Sequence, residues 1–124
     1  MNVSARNDRA DALVEITTTL PDDVAADGIA KSLVEQRFVA CAQVATGITS
    51  TYRWQGTLEQ SSECRLVLKT LASMAHRVVD ALRAQHPYSV PEITLKTLDW
   101  VNEPYMEWVR ESIDPASVRT PDPS

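Results

Sequence analysis

Hydrophobic and polar positions follow two periods along this chain, and the switch between them marks its elements. Leu13-Val14-Glu15-Ile16-Thr17-Thr18 is short and rich in β-branched residues, which predicts a strand. Pro21-Asp22-Asp23 follows; proline suits a first helical turn, and acids there complement the positive end of the dipole. Val24, Ile29, Leu33 and Val34 then recur at helical spacing and predict a helix over about 21–37. From Ala40 to Trp54 the pattern alternates, with Val44, Ile48 and Tyr52 on one face and Thr49 and Thr51 on the other. Gln55-Gly56 suits a tight turn, because glycine tolerates positive φ. Alternation resumes from Leu58 to Thr70, placing Cys64, Leu66 and Leu68 opposite Glu63, Arg65 and Lys69.

Met74, Val78 and Leu82, four apart, predict a second helix. It ends at His86-Pro87, since the residue before a proline is pushed out of the α region. Residues 91–98 alternate as a strand. Asn102 is the expected N-cap of a last helix carrying Tyr105, Trp108 and Val109. The order β-α-β-β-α-β-α predicts an α+β, ferredoxin-like fold in which both central helices cover one face of a four-stranded antiparallel sheet. Each strand of the central hairpin is about 13 residues long against a usual 5–6. Such a hairpin should project beyond the domain. Its aromatics Tyr52 and Trp54 then call for burial in a partner, most simply a second copy of the chain.

The 124 residues carry 12 Lys+Arg against 17 Asp+Glu, a formal charge of −5. A mildly acidic chain is a poor polyanion binder, so neither nucleic acid nor an anionic membrane surface is an expected partner. No apolar run is long enough to span a bilayer, and the first ten residues lack the apolar centre of a secretory signal. The expected location is cytoplasmic. Residues 1–11 and 114–124 are polar or proline-rich and read as flexible tails flanking one domain at 12–113.

Two cysteines are too few for a disulfide framework. A two-residue turn at 55–56 puts Cys41 opposite Thr70 and Cys64 opposite Gly47, about 20 Å apart along the hairpin. They cannot bridge, and each reads more simply as a buried small hydrophobe than as a ligand. His76 reads as an exposed helix residue. His86 has two readings. In His86-Pro87-Tyr88-Ser89-Val90-Pro91-Glu92 it can join a polar or metal site with Tyr88 and Glu92. Equally, it can cap the preceding helix. Glu63 and Lys69 read as ordinary surface or interface charges. Trp100, Tyr105 and Trp108 are expected to pack in core or interface, since no basic stripe accompanies them. No nucleophile motif and no glycine-rich phosphate loop is present, and the chain is read as a non-enzyme.

Thr17-Thr18-Thr19-Leu20-Pro21, Leu33-Val34-Glu35, Val39-Ala40-Cys41-Ala42, Thr51-Tyr52-Arg53-Trp54-Gln55-Gly56, Leu68-Lys69-Thr70, His86-Pro87-Tyr88, Val90-Pro91-Glu92-Ile93, and Tyr105 with Trp108 stand in a distinctive order and spacing. In them the chain resembles the CutA divalent-cation-tolerance family over about residues 12–113. The resemblance implies a homotrimer, similar in architecture to PII signalling proteins, in which long hairpins of adjacent subunits pair edge to edge. Tyr52 and Trp54 would lie at the trimer interface. It also implies tolerance of copper or another divalent metal, with no reaction attached. His86, Glu92 and Cys41 are then the candidate metal residues, and Lys69, Tyr88 and Trp108 candidates for an inter-subunit cleft. Two departures weaken soft-metal binding: Thr18 stands where some members carry cysteine, and Gln85 where some carry a second histidine. The alternative implied reading is a PII-like regulatory or scaffold module that binds a small ligand or protein at those clefts.

Overall fold

The computed structural model describes residues 12–113; the tails expected at 1–11 and 114–124 lie outside the described residues. Strand β1 (Leu13–Leu20) leads into helix α1 (Asp23–Glu35), then β2 (Cys41–Trp54) and β3 (Thr57–Leu71). A 3-10 turn (Ala72–Met74) runs into α2 (Ala75–Gln85), followed by β4 (Ile93–Thr97) and α3 (Glu103–Ser112). The four strands form one sheet in the order β2-β3-β1-β4, and every neighbouring pair is antiparallel. This is the expected split βαβ arrangement.

Helix α1 starts two residues later than its proline suggests. Pro21 stands before the cap, and the Asp22 carboxylate accepts from the Ala25 N–H at 2.9 Å, satisfying one of the donors that a helix start leaves open. At the other end Arg37 adopts φ 63, a left-handed cap that usually falls to glycine. The Phe38 N–H reaches back to the Leu33 carbonyl, and the Arg37 N–H to that of Val34. Arginine replaces glycine with a gain: its guanidinium donates to the Ser112 and Glu111 carbonyls at 3.0 and 2.7 Å and ties α1 to the last turn of α3.

Ile29, Leu33, Val78 and Leu82 from α1 and α2 pack on Ile16, Leu20, Leu66 and Leu68 of the sheet, which makes the main core. A second cluster, not anticipated from the pattern, joins Leu13, Leu71 and Met74 to Met106 and Val109 of α3 and to Ile113 just past its end. Buried Thr70 is satisfied by donating to the Phe38 carbonyl at 2.6 Å.

The hairpin turn has Gln55 at φ 51 and Gly56 at φ 81, the left-handed pair of a type I′ turn. From it the register runs Trp54↔Thr57 to Ile48↔Glu63, then shifts by one residue and continues Ala45↔Arg65 to Cys41↔Lys69. A bulge at Thr46-Gly47, with Gly47 at φ 75, accounts for the shift. Two expectations are corrected by it. Cys41 faces Lys69, not Thr70. Directly paired residues share a face, so Val44, paired with Leu66, lies on the opposite side from Ile48 and Tyr52, paired with Glu63 and Glu59.

β1 ends its pairing at Leu20↔Cys64. Beyond that point, residues 48–54 and 57–63 pair only with one another in the described chain. The hairpin therefore projects as a two-stranded ribbon, as its length predicts, with Tyr52, Trp54 and Leu58 exposed towards its tip.

Candidate metal and ligand sites

The candidate residues separate into two groups at opposite ends of β1. At its C-terminal end the His86 ring leaves α2 on extended backbone. Its Nδ1 accepts from the Tyr88 N–H at 3.2 Å. Its Nε2 lies 3.0 Å from the Thr19 carbonyl oxygen and 2.9 Å from the Thr18 hydroxyl. The Tyr88 ring sits 5.1 Å from the imidazole, and its hydroxyl donates to Glu63 at 2.7 Å. His86 occupies the C-cap position of α2, but among the described hydrogen bonds its ring turns away from the helix carbonyls and bridges to a strand 67 and 68 positions earlier in the chain. Glu92 precedes Ile93, the partner of Thr18, and is exposed; no hydrogen bond or ion pair among the described residues joins it to His86.

Burial lowers the His86 proton affinity, while the Thr19 carbonyl and the Glu63 charge pull the other way. Burial, with Glu63 as hydrogen-bond acceptor and neighbouring charge, pushes the Tyr88 phenol up. A measurable pH dependence follows. An imidazole held below its ordinary value of 6.5 takes its proton more readily when the chain unfolds. Its contribution to stability is thus complete above that value and is lost as pH falls through the folded value. Melting temperature should drop between pH 7 and pH 5, and the slope should flatten in His86→Gln. Equal slopes would refute the assignment.

At the N-terminal end of β1 the register places Cys41, Lys69, Glu15 and Lys96 in one cross-strand row. Lys69 and Lys96 lie 3.9 and 3.8 Å from the two oxygens of Glu15. The Lys69 ammonium stands 5.8 Å from the centre of the Tyr105 ring, against which Trp108 packs at 5.5 Å. Trp108 remains 44 % exposed.

From Lys69 to Glu63 is six residues of strand, about 20 Å. Within one chain, Lys69 and Trp108 thus do not meet His86 and Tyr88, and Cys41 does not meet His86. Among the described residues no three of His, Cys, Asp and Glu converge on a metal position. Cys64 is buried, and its thiol is pushed up by burial and by Asp23 and Asp22. Both cysteines are free. The described residues of a single chain thus bring together no set of three such donors.

Sequence pattern marks neither Thr19 nor Glu15 as a site residue, reads Glu63 only as a surface or interface charge, and marks Thr18 only as a departure from the family's cysteine. Thr18 offered one signal, a polar residue at a core-facing strand position that needs a partner. Glu63 offered none, because its partner arrives from a loop 25 residues away. His76 is exposed as expected, beside Asp80 one helical turn on.

Residues 14–112 match the model of the family described as CutA1 divalent ion tolerance protein. The chain belongs to the CutA1 family. It is 38 % identical over 97 residues to the divalent-cation tolerance protein CutA of Thermus thermophilus, covering 78 % of this chain and 94 % of that one. It is 36 % identical to the human protein CutA over 80 % of this chain and 55 % of that protein. The crystal structure of CutA from Xylella fastidiosa superposes with a TM-score of 0.80 at 35 % identity, covering 83 % of this chain and 99 % of that one. No helix among the described residues of this CutA1 family member is long and apolar enough to cross a membrane.

Proposed function

We propose that this chain acts in divalent-cation tolerance as a homotrimer that holds a divalent metal, copper foremost, weakly in crevices between subunits. Family membership supports the cation relation. The observation that carries the assembly is the ribbon of residues 48–63, whose outer edges are unpaired in the described chain and whose aromatics are exposed. Unpaired strand edges beside exposed aromatics favour pairing with a sister chain. Cys41, on edge strand β2, and exposed Glu92 are the donors a sister chain can reach.

Sedimentation of the wild type with copper, nickel and cobalt tests this reading. A species of about three chains should bind copper tightest, following the usual order for first-row ions. Cys41→Ser and Glu92→Gln should each weaken copper binding at least tenfold. Unchanged affinity in both variants would remove the proposed donors. The half-exposed Tyr105–Trp108 pair beside Lys69 favours a second reading, a PII-like module binding a small ligand or protein in the same crevices. Thermal stabilisation by a ligand that persists in chelator would favour it.

A further inference from the structure

The three hydrogen-bond partners of His86 admit one neutral arrangement of its ring. A backbone N–H only donates and a carbonyl only accepts. The Tyr88 N–H therefore needs a bare Nδ1, and the Thr19 carbonyl needs a proton on Nε2. The Thr18 hydroxyl shares that same Nε2. Neither nitrogen keeps a lone pair free for a metal. Tyr88, stacked at a tilt against the ring, in turn donates its hydroxyl to Glu63. Glu63 is the first residue of β3 beyond the last pair with β1, where the ribbon leaves the sheet. The chain of contacts thus runs from the end of β1, through His86 and Tyr88, to the root of the ribbon.

We propose that His86 is a latch and not a metal ligand: its ring fastens the 87–91 loop to the end of β1 and so sets Tyr88 on Glu63 at the ribbon root. The latch is a positioning device. It couples the loop, which Pro87 and Pro91 already restrict, to the direction in which the ribbon projects. Binding of a metal by either nitrogen requires one of these bonds to break. The inference goes beyond the proposed tolerance function and does not depend on it.

The ring nitrogens of uniformly 15N-labelled protein near pH 7 test the latch directly. His86 should show a protonated Nε2 and an unprotonated Nδ1, and zinc should leave both resonances in place. Exposed His76 serves as the control for adventitious binding. Asparagine keeps an acceptor near the Nδ1 position and glutamine a donor near the Nε2 position. His86→Asn and His86→Gln should therefore unfold at intermediate denaturant, between the wild type and His86→Ala. The losses in His86→Ala and Tyr88→Phe should fall short of additive in the double variant, because both break one chain of contacts. Zinc-induced displacement of the His86 resonances, the opposite tautomer, or strict additivity would overturn the proposal. If His86→Ala does not fold, the wild-type spectra and the Asn and Gln variants still decide it. Failure of copper to bind the trimer would leave the latch intact, and a zinc-bound His86 would leave the trimer intact.

Discussion

Trp54→Asp should convert a species of about 41 kDa, three chains of 13.7 kDa, into a single chain. Trp54 closes the ribbon against Thr57 beside the turn and is 47 % exposed in its own chain. Tyr52, 41 % exposed, lies on the same face two residues earlier. In the proposed trimer these rings are covered by a sister chain, and a carboxylate in their place is desolvated without a partner. A buried charge left without a partner costs about 3–5 kcal/mol, and symmetry repeats the loss at every contact. Melting should fall sharply and lose its dependence on protein concentration. Trp54→Phe should keep most of both. An unchanged mass with equal stability would place the aromatic tip outside any interface. Moderate salt should leave the wild-type mass alone, because strand pairing and apolar burial are screened little.

The second large effect lies in the protomer core. Leu68 is fully buried and packs in the main cluster between the sheet and the two helices that cover it. Leu68→Ala removes three carbons from a region with no solvent access, and the cavity relaxes only in part. The expected loss is about 2–5 kcal/mol, read as a lower urea midpoint at fixed protein concentration. The variant should keep its assembled mass where it remains folded, the converse of Trp54→Asp. A midpoint shift worth under about 1 kcal/mol would mean that the sheet and helices close over the gap more freely than native packing density allows.

The two variants separate what the β2–β3 hairpin does at its two ends. Near Leu66 and Leu68 it is a core element, covered by helices on one face and flanked by β1. Beyond Cys64 it has neither. The bulge at Thr46-Gly47 lies at this change. It turns Ile48, Tyr52 and Trp54 to the face opposite the helices and gives the ribbon extra twist. A one-residue insertion thus decides which surface the aromatic tip presents.

Local chemistry wrote much of this molecule legibly. The four strands and three α-helices were all expected, and the bounds read for the strands and the first helix fall within about two residues, because period-2 and period-3.6 patterns report directly on which side of an element meets the core. The tight turn at Gln55-Gly56 and the helix stop before Pro87 were equally plain, since each rests on one or two residues' backbone preferences. The bulge escaped, because Thr46-Gly47 sits in a weakly apolar stretch where a slip of one changes no obvious hydrophobic position. The packing of α3 on Leu13 and Leu71, which lie three residues from Ile16 and Leu68 along their strands and so on the other face of the sheet, escaped as well, since its amphipathic stripe does not say which surface it covers. His86 is the sharpest case. Its loop marked it as important, yet metal ligand and helix cap remained equal readings. Its partners Thr18 and Thr19 are more than sixty positions away, and a histidine's role is set by what each ring nitrogen touches, which depends on how β1, α2 and β3 come together in space.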